Sequence, residues 1–287
     1  MNLTLTSSHR KFIRTSSLNF IRYAVLLILG LVFIVPFYWM VSTSFKTPGQ
    51  AYLFPPTWIP DPVSVEAYKS LWGTSVPFNL FIRNTIVIVI FSVIGTLLSS
   101  TLVAFAFARL KWWGRDVWFI VLLATLMLPY QVVMIPVYVI FRKLGWLDTY
   151  LPLIVPTYLG NPFYIFLIRQ FFLTIPNDLE DAARVDGANS LRILLQIFLP
   201  NSKPVLLTVM LFAFVAGWND FFGPLLYLRK LEQMTVSVGL SMFAGYRSPN
   251  WPAITAASTL SILPIVVMFV LFQRYFVKGI VLTGMKG

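Results

Sequence analysis

Residues 179–200 read LEDAARVDGANSLRILLQIFLP. This is the most polar run in a chain of 287 residues that is 58% hydrophobic and only 11% charged. Together with Asp178, the run sets Glu180, Asp181 and Asp186 against Arg184 and Arg192. A soluble domain rarely combines so little charge with so much apolar content. The chain is therefore read as integral to a membrane, with this run as a water-facing element between spans.

Working outward, a hydrocarbon core of ~30 Å asks for about 20 helical residues. Six stretches meet that length: 20–45, 82–108, 117–141, 150–172, 203–228 and 253–277. The predicted fold is an all-α integral membrane protein of six transmembrane helices. In it, residues 1–19 are a cytoplasmic tail and 20–45 the first span. Residues 46–81 form an external loop, 82–277 a five-helix core, and 278–287 a second cytoplasmic tail. The fourth span carries Pro152, Pro156 and Pro162 and is expected to be bent or partly unwound. The first apolar stretch is too long for a signal-peptide core and lacks a small-residue cleavage site, so it reads as a retained span. With the amino terminus inside, fourteen of the 22 Lys and Arg residues fall on inner segments. That excess places both termini in the cytoplasm.

The net charge of +12 raises the question of nucleic acid. The basic residues are scattered between apolar segments, which excludes that reading and fits an anionic inner leaflet of membrane lipid. There is no cysteine. His9, the single histidine, lies in a polar tail and is read as solvated.

The external loops are aromatic. "SVEAYKSLW" reads as a short helix capped by Ser64 with Glu66 in its first turn. Trp58, Trp72 and Trp251 suit either an interfacial aromatic belt or a docking surface for an external partner.

Residues 173–202 are the longest inner loop. Asn177 is expected to cap a helix, with Glu180 three residues on as in a capping box. Asp178, Glu180 and Asp181 suit the positive end of that helix. Gly187 ends it in the left-handed conformation. A second helix is expected to turn Leu191, Leu194, Leu195 and Phe198 to one side. An interfacial anchor would be rich in Lys and Arg on its polar face. The acids here favour a protein partner instead.

The spacing Asp181-Ala182-Ala183, three residues, Gly187, nine residues, Ile197-Phe198-Leu199-Pro200 resembles the EAA loop of ABC importer permeases. Asp181 stands where that pattern has glutamate, with Glu180 beside it. "LPNSKPVL", "GWNDFFGPL" and "KGIVLTGMKG" are similar to the maltose-type, binding-protein-dependent sugar branch. The resemblance implies the type I ABC importer fold and a permease subunit forming half of a pathway. Its partners would be a second homologous permease, two copies of an ABC ATPase and an external sugar-binding protein, in the cell inner membrane. It also implies that Glu180, Asp181, Ala182, Ala183, Arg184, Asp186, Gly187, Ile197, Leu199 and Pro200 couple to the ATPase. By position alone, Tyr246, Arg247 and Trp251 correspond to a family loop that reaches the binding protein.

No Gly-Lys pair occurs in the sequence, so no phosphate-cradling GxxxxGK[ST] loop is present. No His/Cys metal cluster or nucleophile–base pair stands out. The chain is expected to be a transport subunit without enzyme activity or cofactor of its own, with ATP and Mg bound by the partner ATPase. Asp220, in "GWNDFFGP", is the one acid within a predicted span. With Trp218 and Asn219 it suits a sugar path; alternatively, it caps a helix break near Gly217 or Gly223 or pairs with a basic residue of another subunit. The competing function is a stand-alone secondary transporter or facilitator, for which internal repeats and several intramembrane charges would be expected. Neither is evident.

Overall fold

The computed structural model describes the backbone of residues 7–73, 77–244 and 250–284, and the side chains of 19–73, 77–243 and 250–273. Among the described residues every regular element is helical. Contacts divide the chain into two units, Met1–Ser70 with Arg247–Thr259, and Leu71–Tyr246 with Leu260–Gly287.

In the first unit a single helix covers Ser7–Ser44, so the expected tail is already helical from residue 7. Its Asn19–Ser44 part is long and apolar enough to cross a membrane. The chain then folds back on the end of this helix. Ser42 Oγ donates to the Trp58 carbonyl at 2.5 Å, and the Trp58 ring stands edge-on to Trp39 at 5.2 Å. Lys46, only 2% exposed, donates Nζ to the Thr57 carbonyl at 2.5 Å and lies 3.9 Å from the Trp39 ring centroid. Burial pulls its ammonium below the usual lysine range. The expected short helix is present at Glu66–Leu71, with Ser64 Oγ accepting from the Glu66 amide. Trp58 thus belongs to the loop's own packing while remaining half exposed.

The second unit is organised by the helix Phe78–Arg109. It contains no proline and one glycine, and its 32 residues run unbroken. At ~1.5 Å per residue it is about 48 Å long. One side carries small polar residues that serve irregular backbone elsewhere. Asn84 Nδ2 donates to the carbonyls of Glu232 and Met234, and Thr85 Oγ1 accepts from the Val236 amide. Further along, Ser92 and Ser99 donate to the carbonyls of Leu153 and Thr157. Irregular backbone at membrane depth survives only when its polar groups find such partners inside the protein. Gly95 lets the Val155–Leu159 turn approach, since a Cβ there would overlap the Tyr158 ring.

The fourth predicted span is partly unwound, as its prolines require. A helical turn at Leu151–Ile154 gives way to 3-10 structure at Val155–Leu159, and the α-helix resumes at Pro162–Phe172.

The third and fifth predicted spans are not single helices. Arg115–Met127 and Tyr130–Lys143 meet at 99°. Pro129 forces the bend: it cannot donate to the ladder, and it drives Leu128 to an extended ψ of 115°. The fifth span ends at Trp218 after 16 residues, and the chain restarts as a short helix at Phe222–Tyr227. Ser190–Asn201 and Lys203–Trp218 meet at 82°. By length and composition there are four membrane-crossing helices, or up to six if each bent pair counts as one.

Candidate functional site

The polar run forms a helix–turn–helix at the end of the central helix. Its first helix is Asn177–Val185. Gly187 follows with φ +79° in open space, so it is the backbone conformation that favours glycine there. Asn189 caps the next turn by accepting from the Arg192 amide at 2.8 Å. The expected capping box is absent. Pro176 occupies the cap position, and Asn177 is already helical. Its Oδ1 accepts from Arg109 instead.

Arg109 is the residue that sequence reasoning passed over as one inner charge among many. Its side chain is 6% exposed. It donates to the Phe172 carbonyl at 2.5 Å and to the Ile175 carbonyl, and its guanidinium lies 4.8 Å from the Phe198 ring centroid. Glu180 Oε2 stands 3.9 Å away, an electrostatic contact too long for a hydrogen bond. Glu180 also accepts from Arg184 Nη2 at 2.7 Å. One cation therefore ties the end of the central helix to the end of the fourth span and to the loop helix.

Beneath this hub lies an aromatic core. Phe105, Phe172 and Phe198 meet edge to face, with centroids 5.2 to 6.4 Å apart. Ile193 and Leu194 are buried beside them. The expected stripe is thus corrected: Leu191 and Leu195 are exposed, while Ile193, Leu194 and Phe198 face inward. A π-helical turn at Leu194–Phe198 rotates the stripe away from the regular spacing. Ile197 and Leu199 pack partly against the same core, and Pro200 is exposed.

The coupling candidates separate into two faces. Glu180 is turned inward, and Ala183 is half-buried against the core. Asp181, Ala182, Arg184, Asp186 and Gly187 are exposed. So are Leu179 and Val185, the latter 88% exposed. The outward face is acidic and apolar together.

The three residues of the second candidate group each bond within the chain. Trp218 is 3% exposed, donates Nε1 to the Ser261 carbonyl at 2.9 Å and stacks on Phe214. It is a packing residue here. Asp220 Oδ1 accepts from the Gly223 amide at 3.1 Å, which is the capping alternative. Gly223 has to lack a Cβ, since one would strike the Asp220 carboxylate. Asn219 is exposed and donates to the Val215 carbonyl. Of the third group, Trp251 is half exposed at the start of the Trp251–Gly284 helix. Tyr246 and Arg247 lie outside the described residues. No group of three or more metal-ligating side chains occurs among the described residues.

In form this is a multi-pass membrane protein whose described elements are all helical, with a short anchored loop helix at the end of its central helix. Residues 98–282 match the family of binding-protein-dependent transport system inner membrane components, and the chain belongs to that family. It is 31% identical over 277 residues to the sulfoquinovosyl glycerol transport system permease protein SmoH of Agrobacterium fabrum, covering 96% of each chain. It is also 31% identical to the trehalose/maltose transport system permease protein MalG of Thermococcus litoralis, over 92% of this chain and 97% of that one. The sn-glycerol-3-phosphate transport system permease protein UgpE of Yersinia pestis is 32% identical, over 90% and 94%. Among solved structures, a chain of a bacterial ABC transporter that imports the acidic polysaccharide alginate superposes with a TM-score of 0.79 at 25% identity. That match covers 96% of this chain and 100% of the other. The chain is a permease subunit of a binding-protein-dependent ABC importer, and not an enzyme.

Proposed function

We propose that this permease carries a sugar or sugar derivative, with the exposed face of residues 179–187 as the seat of a separate ABC ATPase subunit. The observation that carries the reading is the pairing of an open acidic and apolar face with a rigid inner anchor. Asp181, Ala182 and Val185 face outward with no partner among the described residues, while Glu180 and Phe198 lock the loop to the central helix. A push on the open face then moves the ends of two spans together. Two ATPase copies bind ATP and Mg, and a second homologous permease completes the pathway. An external binding protein delivers substrate near Tyr246, Arg247 and Trp251. Both termini lie in the cytoplasm of a cell whose inner membrane holds the complex. The substrate class follows the relatives named above, which carry glycosides, disaccharides or a polyol phosphate. Asn219 and the carboxylate edge of Asp220 are the polar groups proposed to meet substrate; Trp218 holds their backbone in place.

The test is binding-protein-stimulated ATP hydrolysis by the reconstituted complex, wild type against Gly187→Pro. Proline cannot adopt the positive φ, so the turn must rebuild. Stimulation should fall to the unstimulated level while the subunits still co-purify. Normal stimulation in the variant would overturn the assignment of the loop. If no ATPase co-purifies with wild type, the stand-alone transporter becomes the better reading.

A further inference from the structure

The corner that joins the central helix to Arg115–Ala124 is built unlike the loop beside it. Trp112 sits at the junction of two different hollows. On one side lies a cleft of about 1010 Å³ whose charged lining is Arg109, Lys111, Arg115 and Arg184 with Glu180 and Asp181. On the other lies an apolar groove of about 490 Å³, walled by Phe107, Trp118, Val121 and Leu122. The three tryptophans of this corner are exposed: Trp112 at 41%, Trp113 at 92% and Trp118 at 55%.

The charges are not equally free. Arg109 and Arg184 are spent on Glu180, and Arg115 Nε pairs with Asp116 at 2.9 Å. That Asp116 carboxylate is 73% exposed, so water screens it and leaves the Arg115 guanidinium partly available. Lys111 is exposed and has no ion-pair partner among the described residues. Four cations stand against two carboxylates in the cleft, and a third hollow of about 500 Å³ brings the Asp116 carboxylate beside Lys111 and Arg115, which leaves a net excess of one positive charge at the corner. The excess is positive, and it is concentrated on Lys111 and Arg115.

The order along the helix matters. Trp118 lies one turn and Leu122 two turns beyond Arg115, which carries the apolar groove about 5–10 Å along the helix from the basic rim. An amphiphile with an anionic head and an alkyl body has the same order of parts. Soluble anions and peptides would use the rim and leave the groove wet. Exposed tryptophans at this level also favour a membrane interface, and basic clusters on the inner side attract anionic headgroups.

We propose that this corner binds an anionic phospholipid of the inner leaflet. Its phosphate is held by Lys111 and Arg115, and one acyl chain lies in the groove between Trp112 and Trp118. The bound lipid then borders Arg184 and Asp181 of the loop helix, so leaflet composition bears on the surface offered to the ATPase. The site itself rests only on the chain being membrane-embedded with this corner on the inner side.

The test uses the full chain in mild detergent, titrated with phosphatidylglycerol brominated on its acyl chains while tryptophan fluorescence is read. Quenching should saturate, with a midpoint clearly below that for brominated phosphatidylcholine. Lys111→Gln and Arg115→Gln should each raise the midpoint about fivefold, as expected for removing one surface cation near an anionic lipid. Lys143→Gln, an exposed lysine distant in sequence, should leave it unchanged. Trp118→Phe should lower the quenching amplitude and keep the midpoint. Equal midpoints for the two lipids would overturn the proposal, as would corner variants that quench like wild type. Displacement of the brominated lipid by millimolar inorganic phosphate would reduce the site to a simple anion site and overturn the lipid assignment. Near-UV circular dichroism reports whether a variant has kept its packing, and if one cation variant has not, the other and Trp118→Phe decide. No ATPase or sugar enters this experiment, so its failure is distinct from failure of the importer reading.

Discussion

Arg109 and Asp220 both stand where a helix stops and backbone groups lose their partners, yet they solve the problem differently. Arg109 satisfies two carbonyls and the Asn177 side chain, faces Glu180 and covers an aromatic ring. Asp220 accepts one amide, that of Gly223, and among the described residues no basic side chain is paired with it. The first arrangement uses most of a guanidinium's donors and leaves little freedom. The second uses one carboxylate oxygen and leaves the other in play. A rigid joint belongs where force is transmitted, and an under-committed polar group belongs where a passing solute has to be met. That contrast is the physical content of the proposed division of labour between the inner loop and the break after Trp218.

Breaking the rigid joint should have the largest effect. Arg109→Ala removes the partner of a buried carboxylate and orphans two carbonyls, and is expected to cost about 3 kcal/mol of stability. Arg184 still pairs with Glu180, which keeps the loss toward the lower end of the range for such pairs. Thermal unfolding of the detergent-solubilised chain reads it. Glu180→Gln in the same background should recover part of the loss. Additive losses in that double mutant would mean the 3.9 Å contact is incidental.

An intermediate effect is expected at Gly239, where the Val236–Ala244 helix rests against Phe81 of the central helix. Gly239→Ala forces a methyl into the Phe81 ring and should cost about 1–3 kcal/mol. The same thermal measurement serves, and an unchanged midpoint would show that the two helices can slide apart freely.

The smallest structural effect belongs to Asp220. Asp220→Asn retains an oxygen for the Gly223 amide and should shift stability by less than about 0.5 kcal/mol, whereas Asp220→Ala should cost about 1 kcal/mol. If the carboxylate meets substrate, Asp220→Asn lowers transport in vesicles without lowering thermal stability. Equal loss of both would make Asp220 a cap and nothing more.

Much of this molecule was legible from local chemistry. The apolar runs marked the helices, three prolines marked the unwound fourth span, and Gly187 marked the sharp turn, because each depends on a few neighbouring residues. Pro129 carried a signal of the same kind for the bend in the third span, but the continuous hydrophobicity around it hid the break. The loop motif was visible as spacing. Its inward and outward faces were not, since the π-helical turn at Leu194–Phe198 shifts which leucines reach the core.

The sequence by itself determined that the chain is a membrane protein, which stretches are helical and apolar, and that residues 179–200 form a polar motif between spans. Hydropathy and backbone preference are properties of short segments, and they survive in any fold. Only the tertiary structure decided that Arg109 meets Asn177 from 68 residues away, that Glu180 is turned inward while Asp181 faces out, and that Trp218 is packed rather than open. Those outcomes depend on which helix ends are brought together. Charge and aromaticity say what a residue can do, and burial selects which of those things it does.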